Sequence, residues 1–138
     1  MQFSGTKVIR ELHPTLTVKV IEVDVLDILC SALYGGIGYW AVLDNSGDDF
    51  KNATAEETTE ETCARLLLNG KSLKFEDVES EQKFELTLDK FMSGIEKAVN
   101  DKRFNIIDDD GKLDCGNIDA RIADFIIQYA IFGEVIYA

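Results

Sequence analysis

Histidine, proline and tryptophan each occur once in these 138 residues, and cysteine three times. Each scarcity closes a class of function. His13 is the only imidazole, and nothing beside it in the chain would orient its ring, so Ser-His-Asp and Cys-His catalysis lack an evident base. Standing before Pro14, it reads as a turn residue. Cys30, Cys63 and Cys115 are odd in number, widely spaced and without a C-x-x-C pair, which argues against both a disulfide framework and a zinc site. A reducing cytoplasm is the compartment that fits. No apolar run approaches the ~18 residues of a membrane span, and Met1–Arg10 carries neither the apolar core nor the cleavage site of a signal peptide. The expectation is a soluble cytoplasmic protein. There is no G-x-G-x-x-G, P-loop or H-E-x-x-H, and Gly35, Gly36 and Gly38 follow a helical pattern where a phosphate loop would follow a strand.

Basic residues are also few. Fourteen Lys and Arg face 26 Asp and Glu, a formal net charge of −12. Nucleic acid and anionic membranes would repel such a chain at long range, so a charged partner should be basic. Apolar residues at 46% are nevertheless enough for a core, and the length suits one domain spanning residues 1–138.

The hydrophobic pattern predicts a strand over Thr15–Val23, where β-branched residues are dense. Asp24 then caps a helix over Val25–Tyr34, with Gly35 and Gly36 as a left-handed stop. Ile37–Leu43 reads as a strand closed by the turn Asp44–Gly47. Thr54 with Glu57 forms a capping box for a helix whose stripe Thr59, Cys63, Leu66 and Leu67 ends at Asn69 and Gly70. Leu73–Glu76 and Phe84–Leu88 alternate as a hairpin around Glu79–Gln82, and Asp89–Asn100 is an amphipathic helix. After the polar loop Asp101–Gly116, Asn117 caps a last, most apolar helix that stops at Gly133 before a short strand, Val135–Tyr137. The fold expected is α+β: a mostly antiparallel sheet of about four or five strands with about four helices packed against it.

Three constellations bear on chemistry. Asp108, Asp110, Gly111, Leu113 and Asp114 fall at EF-hand places, but Ile106 stands where the first ligand belongs and Asn117 where the bidentate Glu belongs. A solvated loop and no metal is the reading. Cys30 and Cys63 lie on apolar helix faces and Cys115 among acids, so no thiol is activated, and with no carboxylate pair distinguished from the rest no catalytic residue or cofactor is assigned. The third is the acid cluster Asp44, Asp48, Asp49, Glu56, Glu57, Glu60 and Glu61, interrupted only by Lys51. On one helix, Glu56 with Glu60 and Glu57 with Glu61 would stand about 6 Å apart along the axis, close to two phosphate steps of about 3.4 Å. Such a row suits the basic channel of a nucleic-acid-binding protein.

The stretches VDVLDILCSALYGGIGYW, FELTLDKFMSGIEKAVN and IDARIADFIIQYAIFGEVIYA resemble a group of small acidic proteins encoded on bacterial prophages and integrative mobile elements. The likeness spans most of the chain, and its motifs are caps and core. What it implies is context: accessory genes of mobile elements often encode inhibitors of host defence, such as anti-CRISPR or anti-restriction proteins. The first expectation is therefore a stoichiometric inhibitor, not an enzyme, docking its acid cluster on a CRISPR-type effector and not on nucleic acid or membrane. Two alternatives stand beside it. One is a nucleotide-signal sponge with a pocket near Tyr39 and Trp40, and the other an assembly protein of the element, dimeric through the terminal helix and Val135–Tyr137.

Overall fold

The computed structural model describes residues 2–137. Its first helix, α1 (Glu22–Gly35), begins three residues before the expected start. Asp24 does cap it, but as the N3 residue: its carboxylate accepts the Ile21 N–H at 2.9 Å. The buried residues Val25, Ile28, Leu29 and Ala32 recur at the helical period. The glycine stop works differently from expectation. Gly36 keeps a right-handed φ of −99°, and its value is space, because a Cβ there would lie 2.8 Å from the Ala120 carbonyl oxygen. The chain between helix and sheet, Ile37–Trp40, is a turn, so β1 is only Ala41–Leu43.

A four-residue helix, α2 (Asp48–Lys51), precedes α3 (Thr59–Leu68). The sequence offers two capping boxes in tandem, Thr54 to Glu57 and Thr58 to Glu61. The second one starts the helix: Thr58 Oγ1 accepts the Glu61 N–H and the Glu61 carboxylate accepts the Thr58 N–H, each at 3.1 Å. Gly70, at a φ of +81°, ends it as expected. The hairpin follows as β2 (Leu73–Asp77) and β3 (Lys83–Leu86), then α4 (Leu88–Asn100), whose Thr87 cap accepts the Lys90 N–H.

The sheet has three strands, in the order β1-β2-β3, antiparallel throughout, where four or five were expected. Leu73, Phe75 and Leu86 form its buried side, while Lys74 stands opposite Glu85 and Glu76 opposite Lys83. The two missing strands have separate physical explanations. Within Thr15–Val23 only Lys19 pairs, donating to the Gly111 carbonyl and accepting from Leu113, and the chain then turns into α1. At Val135–Tyr137 the backbone is taken by a side chain. Gln128 accepts the N–H groups of Ile136 and Tyr137 through Oε1 and donates to the Tyr137 carbonyl through Nε2, so one amide does what a neighbouring strand would have done.

The last helix, α5 (Ala120–Phe132), is capped by Asp119 and not by Asn117, which closes a 3₁₀ turn (Cys115–Asn117) instead. It ends at Gly133 with a φ of +77°. As expected it is the central helix: seven of its residues are buried, and it packs on α1, α4 and β3. Against α4 the backbones approach closely at Gly94, where a Cβ would stand 2.4 Å from the Ile126 carbonyl oxygen and 2.9 Å from the Ala130 Cβ. Gly94→Ala should therefore destabilise the fold by roughly 1–3 kcal/mol through overpacking, despite alanine's higher helix propensity. Urea unfolding of the two proteins measures the difference.

Candidate partner-binding surface

The segment from Asp44 to Glu61 is mostly exposed and half-anchored by Phe50, and its acids fall into two groups. Four are engaged locally. Asp44 accepts the amide and hydroxyl of Ser46, whose bonds hold its carboxyl below the ordinary value. Asp49 pairs with Lys71 at 2.8 Å. Glu57 forks onto Arg65 at 3.0 Å and accepts the Thr62 hydroxyl, and these bonds hold its carboxyl low. Glu61 is the reciprocal member of the α3 cap. Asp48, Glu56 and Glu60 form no side-chain hydrogen bond or ion pair among the described residues.

This arrangement corrects the expected row of charges. Glu56 and Glu57 lie before α3, so neither the Glu56–Glu60 nor the Glu57–Glu61 pair stands four residues apart on a helix, and the phosphate-like spacing is not built. Glu60 and Glu61 do occupy the first helical turn, where the helix dipole favours them. What tertiary structure adds is a groove of about 400 Å³ between α1 and α3. Its lining combines the acids Glu22, Glu57 and Glu61 with Arg65, which pairs with Glu57, and with the apolar side chains of Val23, Leu26 and Leu68. Glu22 carries no signal in the sequence for this role; only the packing of α1 on α3 brings it there.

Of the aromatic pair expected to form a nucleotide pocket, Trp40 is built into the core, while Tyr39 is half exposed and lines a cavity of about 420 Å³ together with Gly36, Ala120, Arg121 and Phe125. Trp40 is 2% exposed, stacked on Tyr137 at 5.1 Å and flanked by Phe84 and Phe132, so it presents no face to a ligand. Its indole N–H and the Tyr39 hydroxyl both donate to Asp124, at 2.8 and 2.6 Å, and Gln128 donates a third hydrogen bond at 3.0 Å. Burial, then the bond to Asp124, pushes the Tyr39 hydroxyl up to about 12. Sequence reading missed this cluster because Asp124 and Gln128 sit within an apolar helical run and their partners lie more than eighty residues away.

Among the described residues no group of three or more His, Cys, Asp or Glu side chains is placed to hold a metal ion. Asp108 instead accepts the amides of Asp110 and Lys112 in a tight turn, with Gly111 at a φ of +76°. Cys63 is fully buried, which pushes its thiol up to about 12, and burial followed by Asp24 does the same for Cys115, whose thiol donates to that carboxylate. Cys30, expected on an apolar face, is exposed. Burial of part of its side chain and the acids Glu60 and Asp27 still raise its thiol, so it is not an activated nucleophile.

Replacing Asp124 with Asn points an amide donor at converging donors, and the variant should lose roughly 1–3 kcal/mol of stability in urea unfolding. Asp77 supplies a pH test. The Tyr137 hydroxyl, with the Ser80 and Glu79 amides, pulls its carboxyl from 3.8 to about 2. A value lowered by folding contributes fully above the unfolded value, and that contribution drains away as pH falls from 3.8 towards about 2. Tyr137→Phe should shrink this acid-side loss, which thermal midpoints recorded across that range will show. The chain matches no family model, no curated protein and no solved structure, so the surface stands on its own residues.

Proposed function

We propose that this chain acts by binding, as a stoichiometric inhibitor of a bacterial nucleic-acid-targeting defence effector of the CRISPR or restriction type, whose basic channel it occupies with the Asp44–Glu61 face. The observation that carries the reading is the exposed segment itself. Two of its acids are neutralised, Asp49 by Lys71 and Glu57 by Arg65, and Asp48, Glu56 and Glu60 stand unpaired among the described residues with Lys51 as the segment's only base. Carboxylates already solvated and unpaired cost little to bring to a cationic surface, whereas breaking a structural pair would cost stability. The apolar floor between α1 and α3 gives the same face a patch that a partner can desolvate. The mechanism needs a field and a contact, not a copy of phosphate spacing.

The engaged acids make poor probes, because reversing Glu61 or Glu57 also removes a helix cap or an ion pair. Asp48→Lys, Glu56→Lys and Glu60→Lys together leave those bonds alone. The triple variant should keep the circular dichroism of the native chain, lose no more than roughly 0.3–1 kcal/mol of stability for each acid taken from a helix start, and lose inhibition of the effector's nucleic-acid binding. For the native chain, association with the effector should slow severalfold between 0.01 and 0.15 M salt, as the Debye length falls from about 30 to about 8 Å. Stopped-flow kinetics reads this directly. A salt-independent association rate, or a triple variant that inhibits as well as the native chain, removes the charge-based mechanism.

A further inference from the structure

The groove between α1 and α3 is one end of a longer seam. There Leu26 shares the lining with Ala64 and Leu68, and further along α1 Leu33 shares a second hollow with Thr59 and Glu60, so the two helices run antiparallel. That second hollow, of about 360 Å³, has Leu33, Ile37, Val42 and Leu43 as its apolar lining. Leu26 and Leu33 are seven residues apart, which separates the hollows by about 10 Å along α1. Between them lies Cys30, exposed on α1, whose thiol is raised by partial burial and then by the charges of Glu60, Asp27 and Glu61. The seam thus has an apolar hollow at each end and carboxylates around its middle.

Charge and backbone chemistry identify what fits. Glu22, Asp27, Glu60 and Glu61 border the seam, and among the described residues no cation pairs with any of them. Arg65 is the only base lining either hollow, and Glu57 engages it. An occupant must therefore bring positive charge to the middle of the seam and apolar side chains to its ends. From Glu22 to Leu33 both walls are helices, whose interior N–H and C=O groups bond within the helix, so an extended chain laid there would find no main-chain partner. A helix carries its backbone bonds with it. A second copy of this chain offers no such element, because none of α1 to α5 carries a net positive charge.

We propose that the seam between α1 and α3 receives a basic amphipathic helix of the partner, with apolar side chains at i and i+7 and Lys or Arg at i+3 and i+4. Those four positions share one face of a helix, and i to i+7 spans about 10 Å, the separation of the two hollows. One apolar side chain enters beside Leu26 and Leu68 and the other beside Leu33 and Val42, while the two cations meet Asp27, Glu60 and Glu61 around Cys30. Charge guides the approach, and the apolar ends hold the complex together. The seam shares Glu57, Glu60 and Glu61 with the Asp44–Glu61 face, so this role rests on that face being a partner-binding surface and names the part of the partner it receives.

The probe is an alanine-rich peptide of about 17 residues with leucine at i and i+7 and lysine at i+3 and i+4. Fluorescently labelled, it should gain anisotropy on titration with the full chain, and it should slow alkylation of the exposed Cys30 thiol by iodoacetamide. Val23→Lys in the first hollow and Val42→Lys in the second, both at half-exposed positions, should keep the native circular dichroism and weaken binding about tenfold or more. Peptides with glutamate for both lysines, alanine for both leucines, or a central proline should each bind about tenfold or more weakly as well. No binding of the probe, or binding indifferent to both lysine variants, overturns the helix site, even where the native chain inhibits the effector with a salt-dependent association rate. Equal binding of the proline peptide overturns it in favour of an extended ligand. Binding that needs both leucines and protects Cys30 supports the site, and it does so even where the Asp48, Glu56 and Glu60 variant inhibits as well as the native chain, a result that would sink the channel-blocking mechanism alone.

Discussion

A buried carboxylate without a cation holds this fold together. Asp124, 3% exposed on α5, accepts from the Tyr39 hydroxyl, the Trp40 indole and the Gln128 amide. A charge in such a place is expensive unless hydrogen bonds replace its water, and three converging donors do so. The consequences spread outward. Trp40 is fixed at the mouth of β1, which sets where the sheet begins, and Gln128, one helical turn on, fixes Ile136 and Tyr137. Tyr137 then stacks on Trp40 and donates to Asp77 on β2. One helix thereby ties the turn after α1, the sheet and the chain beyond α5 into a single arrangement, with no buried side-chain polar atom left unpartnered among the described residues.

That centre has implications for the surface. A body held by α5 leaves the Asp44–Glu61 segment free of any structural duty beyond Phe50, the α3 cap and two ion pairs. Its remaining acids are thus available for a partner at little cost in stability.

Much of the architecture was legible in the sequence, because local signals and tertiary contacts agree. The hairpin, the helices α4 and α5 and the glycine ends of α3 and α5 follow from alternation, from the 3.6-residue stripe and from Gly70 and Gly133 at left-handed positions. The α+β class follows with them. The bounds failed where two local signals were equivalent. Thr54–Glu57 and Thr58–Glu61 are the same motif, and only the phase of Cys63, Leu66 and Leu67 against the core selects the second.

What sequence by itself determined, then, is the composition of each element and the charge it carries: acids concentrated from Asp44 to Glu61 and apolar stripes on four helices. Tertiary structure decided which of those groups are free. It placed Trp40 in the core where periodicity left it on a strand, engaged Glu57 and Glu61 where spacing had set them in a row, and gave the backbone of Ile136 and Tyr137 to Gln128 where β-propensity had made a strand. For Trp40 the physical reason is a partner 84 residues away, which leaves no periodic trace in the chain yet is worth more to a buried polar atom than a local preference. For Glu57, Glu61 and Gln128 the partners lie within nine residues, but a side chain's choice of one particular hydrogen bond is not written in the spacing of apolar residues.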